Sequence, residues 1–498
     1  MTVAPGTGAD QRPVVILRAC PSYDVSRVRT IIREGLEELD LRPTGRTLVK
    51  PNLVASGQLF THAHTRAEFA EGVLLALRDR DDGRMTELAV GERSGVTIPT
   101  RFSYAGADYN RVIRRTGARR YCFEEERQVE VPLGHEGRLR DYVFVPQSVV
   151  SADFLVNCPK FKAHPWTTVS FSMKNFIGIQ DDRHRLIDHD HHLNAKVVDL
   201  QHVVQPRFIA LDGIVAGQGP MLTPVPFDLQ LIVMGDNQVA VDAVCCTIAG
   251  VDPGTVEHVR SAHDHGLGPI ELSEIRITGD IGLEEARRRA RGFKVGLARV
   301  EEWFEGSNVS CYAGSPTEDG VPDYCWGGCP GTLLEAISVL RRFDSETDRK
   351  MPRLHIVFGA YQGEIPARPG EKVIFVGGCT TWRGRIAGHE VSVDRLPVAR
   401  ALRDPHHARH EDIYRKMALV TWRLQKERGK DHVRLPGCPI SVAEQVLMLV
   451  QVSGAKNPYF DPRIVVDFNR AYLGWRLAAL WRGRYQERDG RPGAARSS

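Results

Sequence analysis

VVILRACPSYDVSRVRTIIREGLEELDLRPTGRTLVKPNLV, residues 14–54, decides how the fold is read. VVILRA (14–19) is a short apolar run, the pattern of a buried strand. VSRVRTIIREGLEELD (25–40) spaces its apolar residues along one face of a helix. RTLVKPNLV (46–54) is a second strand running into a loop at Pro51. Strand, helix and strand in succession predict an α/β domain with a mostly parallel or mixed sheet and flanking helices.

The rhythm continues outward from there. ELAVGERSG (87–95) is a strand ending in a glycine turn, ADFLVNCPKFKAH (152–164) a strand followed by a loop, and PRFIALDGIVAGQGP (206–220) repeats that shape. LQLIVMGDNQVAVDAVCCTIAGVDP (229–253) reads as strand, turn and helix, with Asp236 and Asn237 as natural N-caps. The expected boundaries are a disordered tail over 1–12, an α/β domain over 13–295, a cysteine-containing α/β or α+β domain over 300–485 and a second tail over 486–498. The last helical run, VVDFNRAYLGWRLAALWRGRYQER (465–488), is read as core rather than as a membrane face.

Composition excludes some functions. With 498 residues and a net charge of +4, the chain lacks the concentrated basic character of a nucleic-acid binder. No window approaches ~18 consecutive apolar residues, so no spanning helix and no membrane partner are expected. The opening MTVAPGTGADQRP has neither the basic nor the apolar region of a signal peptide, which points to the cytoplasm. Ten cysteines in that compartment are expected to be reduced.

Ligands of such sheets sit at the carboxyl ends of strands, and Lys50, Asn52 and Glu92 lie just past candidate strands. The segment CPKFKAHPWTTVSFSMKNFIGI (158–179) adds Lys160, Lys162, His164, Lys174 and Asn175 with almost no acidic neighbour. Lysines grouped in this way suit a carboxylate or phosphate. A lysine desolvated beside other cations also becomes a base or nucleophile. Lys174 and His164 are therefore the catalytic candidates; Lys50, Asn52, Lys160, Lys162, Asn175 and Asp212 are the substrate-binding ones. Asp212 is expected to end a strand where glycines bring the backbone close to a ligand. Asp242, within an apolar helix, is expected to hold a loop by a hydrogen bond. A histidine-rich run follows (His184, His189, His191, His192), either a solvated loop or a metal site; as a lid over the anion site it would respond to pH near ~6.5.

A second constellation lies after residue 300, in NVSCYAG, PDYCWGGCPG, FVGGCTTW and RLPGCPISV. Glycine and proline beside Cys325, Cys329, Cys379 and Cys438 expose backbone N–H groups, as thiolate-bound iron–sulfur clusters require. CPGTLLEAIS and CPISVAEQV also place a cysteine where a helix begins, which favours thiolate. Cys311 is the fifth candidate ligand. The cofactor expected is a [4Fe–4S] cluster, with zinc as the alternative for a soft thiolate set.

LVKPNLV (48–54), LAVGERSG (88–95), NCPKFKAH (157–164), SMKNFIGI (172–179), ALDGIVAGQGP (210–220), DNQVAVDAVCCTIAGVDP (236–253) and HDHGLG (263–268) together resemble the domain-of-unknown-function family 362 over about residues 12–290. Many members carry ferredoxin-like cysteine cassettes, and this chain does not. The order of His164, Lys174 and later histidines is also distantly similar to that of lactate racemases, which implies a nickel pincer nucleotide as a further alternative. The expected function is an iron–sulfur oxidoreductase acting on a small anionic substrate, with a ferredoxin-type protein as electron donor. The alternatives are a cluster carrier or assembly protein, and a racemase or isomerase with an organometallic cofactor.

Overall fold

Ten strands between Val14 and Gly279 pair into one mixed sheet. They are β1 (Val14–Ala19), β2 (Gly45–Pro51), β3 (Met85–Glu92), β4 (Arg119–Cys122), β7 (Phe154–Cys158), β8 (Lys160–His164), β9 (Thr168–Val169), β10 (Phe208–Gln218), β11 (Val225–Gly235) and β12 (Arg276–Gly279), while β5 (Gln128–Pro132) and β6 (Tyr142–Pro146) form a separate hairpin. The order is β12–β1–β11–β10–β7–β2–β3–β4, with β8 beside β10 and β9 beside β8. Strands β10, β7, β2, β3 and β4 run parallel, and β11 is antiparallel to both β1 and β10. The computed structural model describes residues 12–57, 60–397, 412–427, 429–430 and 432–481. Apart from Arg12 the expected tails lie outside them.

Both faces of this sheet are covered, which is why VVILRA is apolar without alternation. Val15 and Leu17 pack on one face, with the helices Leu193–Val203 and Gln238–Ile248. Val14 and Ile16 pack on the other, with Val25–Glu38 and Ala67–Asp79. Asn237 caps Gln238–Ile248 as expected, accepting from the Ala240 N–H. Asp236 instead accepts from the Val14 N–H at 3.0 Å.

A second sheet follows: β13 (Val309–Ala313), β14 (Leu354–Ala360), β15 (Lys372–Ile386), β16 (His389–Val393) and β17 (His432–Leu435). Strands β13, β14, β15 and β17 are parallel, and β16 turns back antiparallel on the second half of β15. Mid-way along β15, Gly377 has φ 103°, a conformation open to glycine, and Cys379 sits just past it. The expected α/β class, with a second sheet-containing region, is what the chain adopts.

Helix Val465–Trp481 packs back on the helix Thr100–Gly106, where Phe468 meets Phe102 edge to face at 5.6 Å. Its reading as core holds for Phe468, Ala471, Trp475 and Ala479. Leu473, Leu477, Leu480 and Trp481, on other faces, are exposed. Among the described residues no helix is long and apolar enough to cross a membrane.

Candidate functional site

Lys50 and Glu92 end the neighbouring parallel strands β2 and β3, so their side chains meet. Lys50 Nζ lies 2.9 and 3.1 Å from the two Glu92 oxygens, and both residues are buried. Burial pushes the lysine down and the carboxyl up, and each charge pulls the other back. Gly178 crosses directly over this pair; a methyl there would lie 2.6 Å from Glu92 Oε1 and 3.0 Å from Lys50 Nζ. Asn175 fills the next position, donating to Asn157 Oδ1 at 2.7 Å.

These residues line a cavity of about 50 Å³ together with Asn52, Lys162, His164, Ser170, Lys174 and Arg185. Two donors in it stand out. Lys174 Nζ has no hydrogen-bond or ion-pair partner among the described residues, and burial beside Lys162 and Arg185 brings its pKa down to about 7. His164 accepts the Trp166 N–H on Nδ1 at 3.2 Å, so the ring proton sits on Nε2. That Nε2 is buried and unpartnered, and burial beside Lys174 and Lys162 keeps the ring neutral. An unpartnered N–H and an unpartnered amine facing one small space demand an acceptor, and an anionic oxygen satisfies both. Lys162 gives two bonds to the carbonyls of Ala63 and Met221, and burial lowers it to about 8.

Lys160 and Asp212 do not line this cavity. Their side chains pair at 2.8 Å, and Tyr23 hydroxyl joins both. Both lysines of KFKAH were expected on a loop, but they occupy β8 and are buried. Asp212 lies inside β10 rather than at its end, because the strand continues past a bulge between Gly213 and Val215. Gly213 serves a close approach to β11, with the Leu231 carbonyl 2.8 Å from where its Cβ would stand.

Asp242 holds a loop, as expected, and the loop is the one carrying Lys174. It accepts from Ser172 N–H (2.7 Å), Ser172 hydroxyl (2.6 Å) and Met173 N–H (3.1 Å). Asp242→Asn turns an amide donor toward one of these donors and is expected to cost about 1–3 kcal/mol of stability. Urea unfolding monitored by circular dichroism measures it, and an unchanged midpoint contradicts the assignment.

Cys325, Cys329, Cys379 and Cys438 line one further cavity, of about 490 Å³. Cys311 does not; it is buried in β13 among the second core. Cys329 opens the helix Cys329–Phe343, with Pro330 in its first turn. Cys438 is not at a helix start: Ser441, three residues on, caps Val442–Ser453 in a capping box with Glu444. Glycines cradle the sulfurs. A methyl on Gly328 would lie 2.4 Å from Cys325 Sγ, and one on Gly377 would lie 3.4 Å from Cys329 Sγ and 3.6 Å from Cys379 Sγ. The Ile440 N–H donates to Cys329 Sγ at 3.3 Å. Burial pushes the Cys325 and Cys329 thiols well up, outweighing the helix terminus, so it takes a bound cation to make them thiolates.

Asp190 and Arg395, not singled out in the sequence, also line this cavity. Asp190 Oδ2 accepts from the Cys438 thiol at 3.5 Å, and its Oδ1 holds His192 at 2.8 Å. The only signal was an acid among histidines. His189 bonds the Gly327 carbonyl at 3.1 Å, and His184 accepts the Phe144 N–H at 2.9 Å, so these two are packed, while His191 and His192 are half-buried.

The two cavities are joined through the protein. Trp166 stands edge to face with His164 at 5.1 Å and with His189 at 5.6 Å. Its indole lies against Gly331, in the first turn after Cys329, where a methyl would be 2.3 Å from Nε1. A third cavity, about 180 Å³ and mainly apolar, opens between the sheets and shares Lys174, Arg185, Ile177, Met221 and Val54 with the cationic one. Behind its wall Glu335 holds two lining residues, accepting from the N–H groups of Met221 (2.7 Å) and Leu222 (3.0 Å), and burial raises it to about 7.

Residues 47–247 match the family described as Domain of unknown function (DUF362). The chain is also 24% identical over 275 residues to the thylakoid-associated protein sll1697 of Synechocystis sp., covering 52% of this chain and 81% of that one. A solved lactate racemase apoprotein from Thermoanaerobacterium thermosaccharolyticum aligns over 74% of this chain and 85% of its own, at 12% identity and a TM-score of 0.31. That is too distant to bear on function.

Proposed function

We propose that the protein is an iron–sulfur oxidoreductase acting on a small anion that carries an apolar portion. The observation behind this reading is the convergence of four cysteines, distant in sequence, on one glycine-lined cavity next to a buried cationic pocket. The donor set fits a cluster better than one zinc ion. Among the described residues no three of the sulfurs fall within 4.8 Å of one another, whereas one zinc with ~2.3 Å bonds holds thiolates ~3.8 Å apart.

Cys325, Cys329, Cys379 and Cys438 would hold a [4Fe–4S] cluster, which supplies one-electron transfer when bound. The chain's own groups do the rest. His164 Nε2–H, Lys162 and the protonated form of Lys174 bind the anionic head. Lys174, poised near neutrality, gives or takes a proton at the substrate. The apolar chamber beside Lys174 takes the apolar portion and excludes water. Electrons are exchanged with a ferredoxin-type partner. The cavity between His164 and Lys174, about 50 Å³, is small against the ~300 Å³ or more typical of larger organic ligands, so no step is assigned to a pincer nucleotide.

Purification without oxygen, followed by iron and sulfide analysis and EPR of the reduced protein, tests the reading. Iron and acid-labile sulfide in equal amounts support it. A colourless protein containing only zinc overturns it.

A further inference from the structure

Away from both cavities, three histidines from three separate elements meet at the surface. His135 lies in the turn between β5 and β6, His202 in the last turn of the helix Leu193–Val203, and His265 at the C-cap of Glu257–Asp264. One ring nitrogen of each falls within 4.8 Å of the others. We propose that His135, His202 and His265 form a binding site for a divalent transition-metal ion that prefers imidazole, zinc in the first instance.

The hydrogen bonds prepare the lone pairs. His135 Nε2 lies 2.8 Å from Asp199 Oδ1, and the other Asp199 oxygen accepts the Leu139 N–H at 3.1 Å. A carboxylate can only accept, so the His135 proton is on Nε2 and Nδ1 is a bare acceptor. That Nδ1 is buried and has no partner. Carboxylate, imidazole and metal in line is the arrangement that fixes a metal ligand's tautomer and raises its basicity.

The other two rings complete the set. His202 Nε2 and His265 Nδ1 are 3.0 Å apart, near the ~3.3 Å separation of two nitrogens on a tetrahedral zinc with bonds of ~2.0–2.1 Å. The rings of His135 and His202 stack at 3.8 Å, and His265 stands across both at 5.4 and 5.2 Å, so the His202 ring turns out of the stack to bring its in-plane lone pair onto the shared ion. Binding needs no net loss of protons: the proton shared between His202 and His265 moves to an outward nitrogen, and all three rings ligate as neutral imidazoles. Asp199 supplies the negative charge behind them. The fourth position faces solvent, since His265 is exposed.

The test uses the full-length protein, oxygen-free, in equilibrium dialysis against Zn²⁺ and separately in titration with Co²⁺. The natural chain is expected to bind one more Zn²⁺ than the His202→Gln/His265→Gln double variant. With Co²⁺ the difference spectrum should show nitrogen-type visible bands without sulfur charge transfer, which separates this site from the cysteines. Asp199→Asn should weaken the same binding about 10–100-fold. Should the double variant fail to fold, His265→Gln alone, at an exposed position, carries the comparison. Equal Zn²⁺ stoichiometry and equal Co²⁺ spectra in natural and variant chains overturn the proposal.

Discussion

Lys174→Met is expected to abolish anion binding in the cationic cavity while making the protein more stable. Lys174 Nζ is enclosed, faces two other cations and has no partner among the described residues. The Glu335 carboxylate offsets only part of the desolvation of its charge. Replacing such a charge by an apolar side chain of similar length is expected to stabilise by about 1–4 kcal/mol. The pH dependence separates this from ordinary repacking. The folded-state pKa of about 7 lies below the unfolded value of 10.5. Below pH 7 both states hold the proton and the full cost of burial is felt. Between 7 and 10.5 the unfolded chain still binds the proton and the folded one does not, so stability rises with pH across that window. The variant should lose that rise. Melting curves from pH 6 to 10 measure it, and parallel profiles for the two proteins would falsify the assignment. Calorimetric titration with inorganic phosphate and with short carboxylates reads the binding, which should weaken above pH 7 in the natural chain as Lys174 loses its charge. A cluster carrier without turnover would keep its iron and its transfer activity in this variant; an oxidoreductase would keep its iron and lose activity.

The second large effect is expected at the cysteines. Cys329→Ser and Cys379→Ser should each bring iron and sulfide content after anaerobic reconstitution close to background, because a hydroxyl is a poor substitute for thiolate on iron. Cys311→Ala should leave that content unchanged, since the residue sits within β13 and does not face the cavity. Iron loss on Cys311→Ala with retention in Cys379→Ser would reverse the assignment. Gly328→Ala gives an independent check, because the added methyl would lie 2.4 Å from Cys325 Sγ.

Local signals explain what the sequence made legible. Lys50 and Glu92 sit at strand ends, and parallel strands bring their ends together, so the cleft position followed from the α/β pattern. Lys174 lies between apolar neighbours, which foretold burial. Glycine or proline directly beside Cys329, Cys379 and Cys438, and two residues from Cys325, marked loops able to wrap a ligand, while Cys311 has none within two residues, which fits its place in a strand. Pairings across the fold were not legible. Lys160 carries the same local signals as Lys162, and only the register of β8 on β10 sets it opposite Asp212 and out of the cationic cavity. Asp190 was hidden because its role depends on Cys438, far along the chain. The meeting of His135, His202 and His265 depends on three elements packing together, and no spacing rule covers that.

The position of Glu335 bears on how the protein comes into being. Its carboxylate, from the second half of the chain, ties down the backbone of Met221 and Leu222, and Val442, Val446 and Phe468 complete the same chamber. The ribosome releases the cationic pocket long before it releases those residues. A nascent chain therefore carries Lys174 beside an apolar chamber that lacks one wall, open to water, until nearly the whole polypeptide has emerged. Competence arrives late, and with the same segments that bring the four cysteines together.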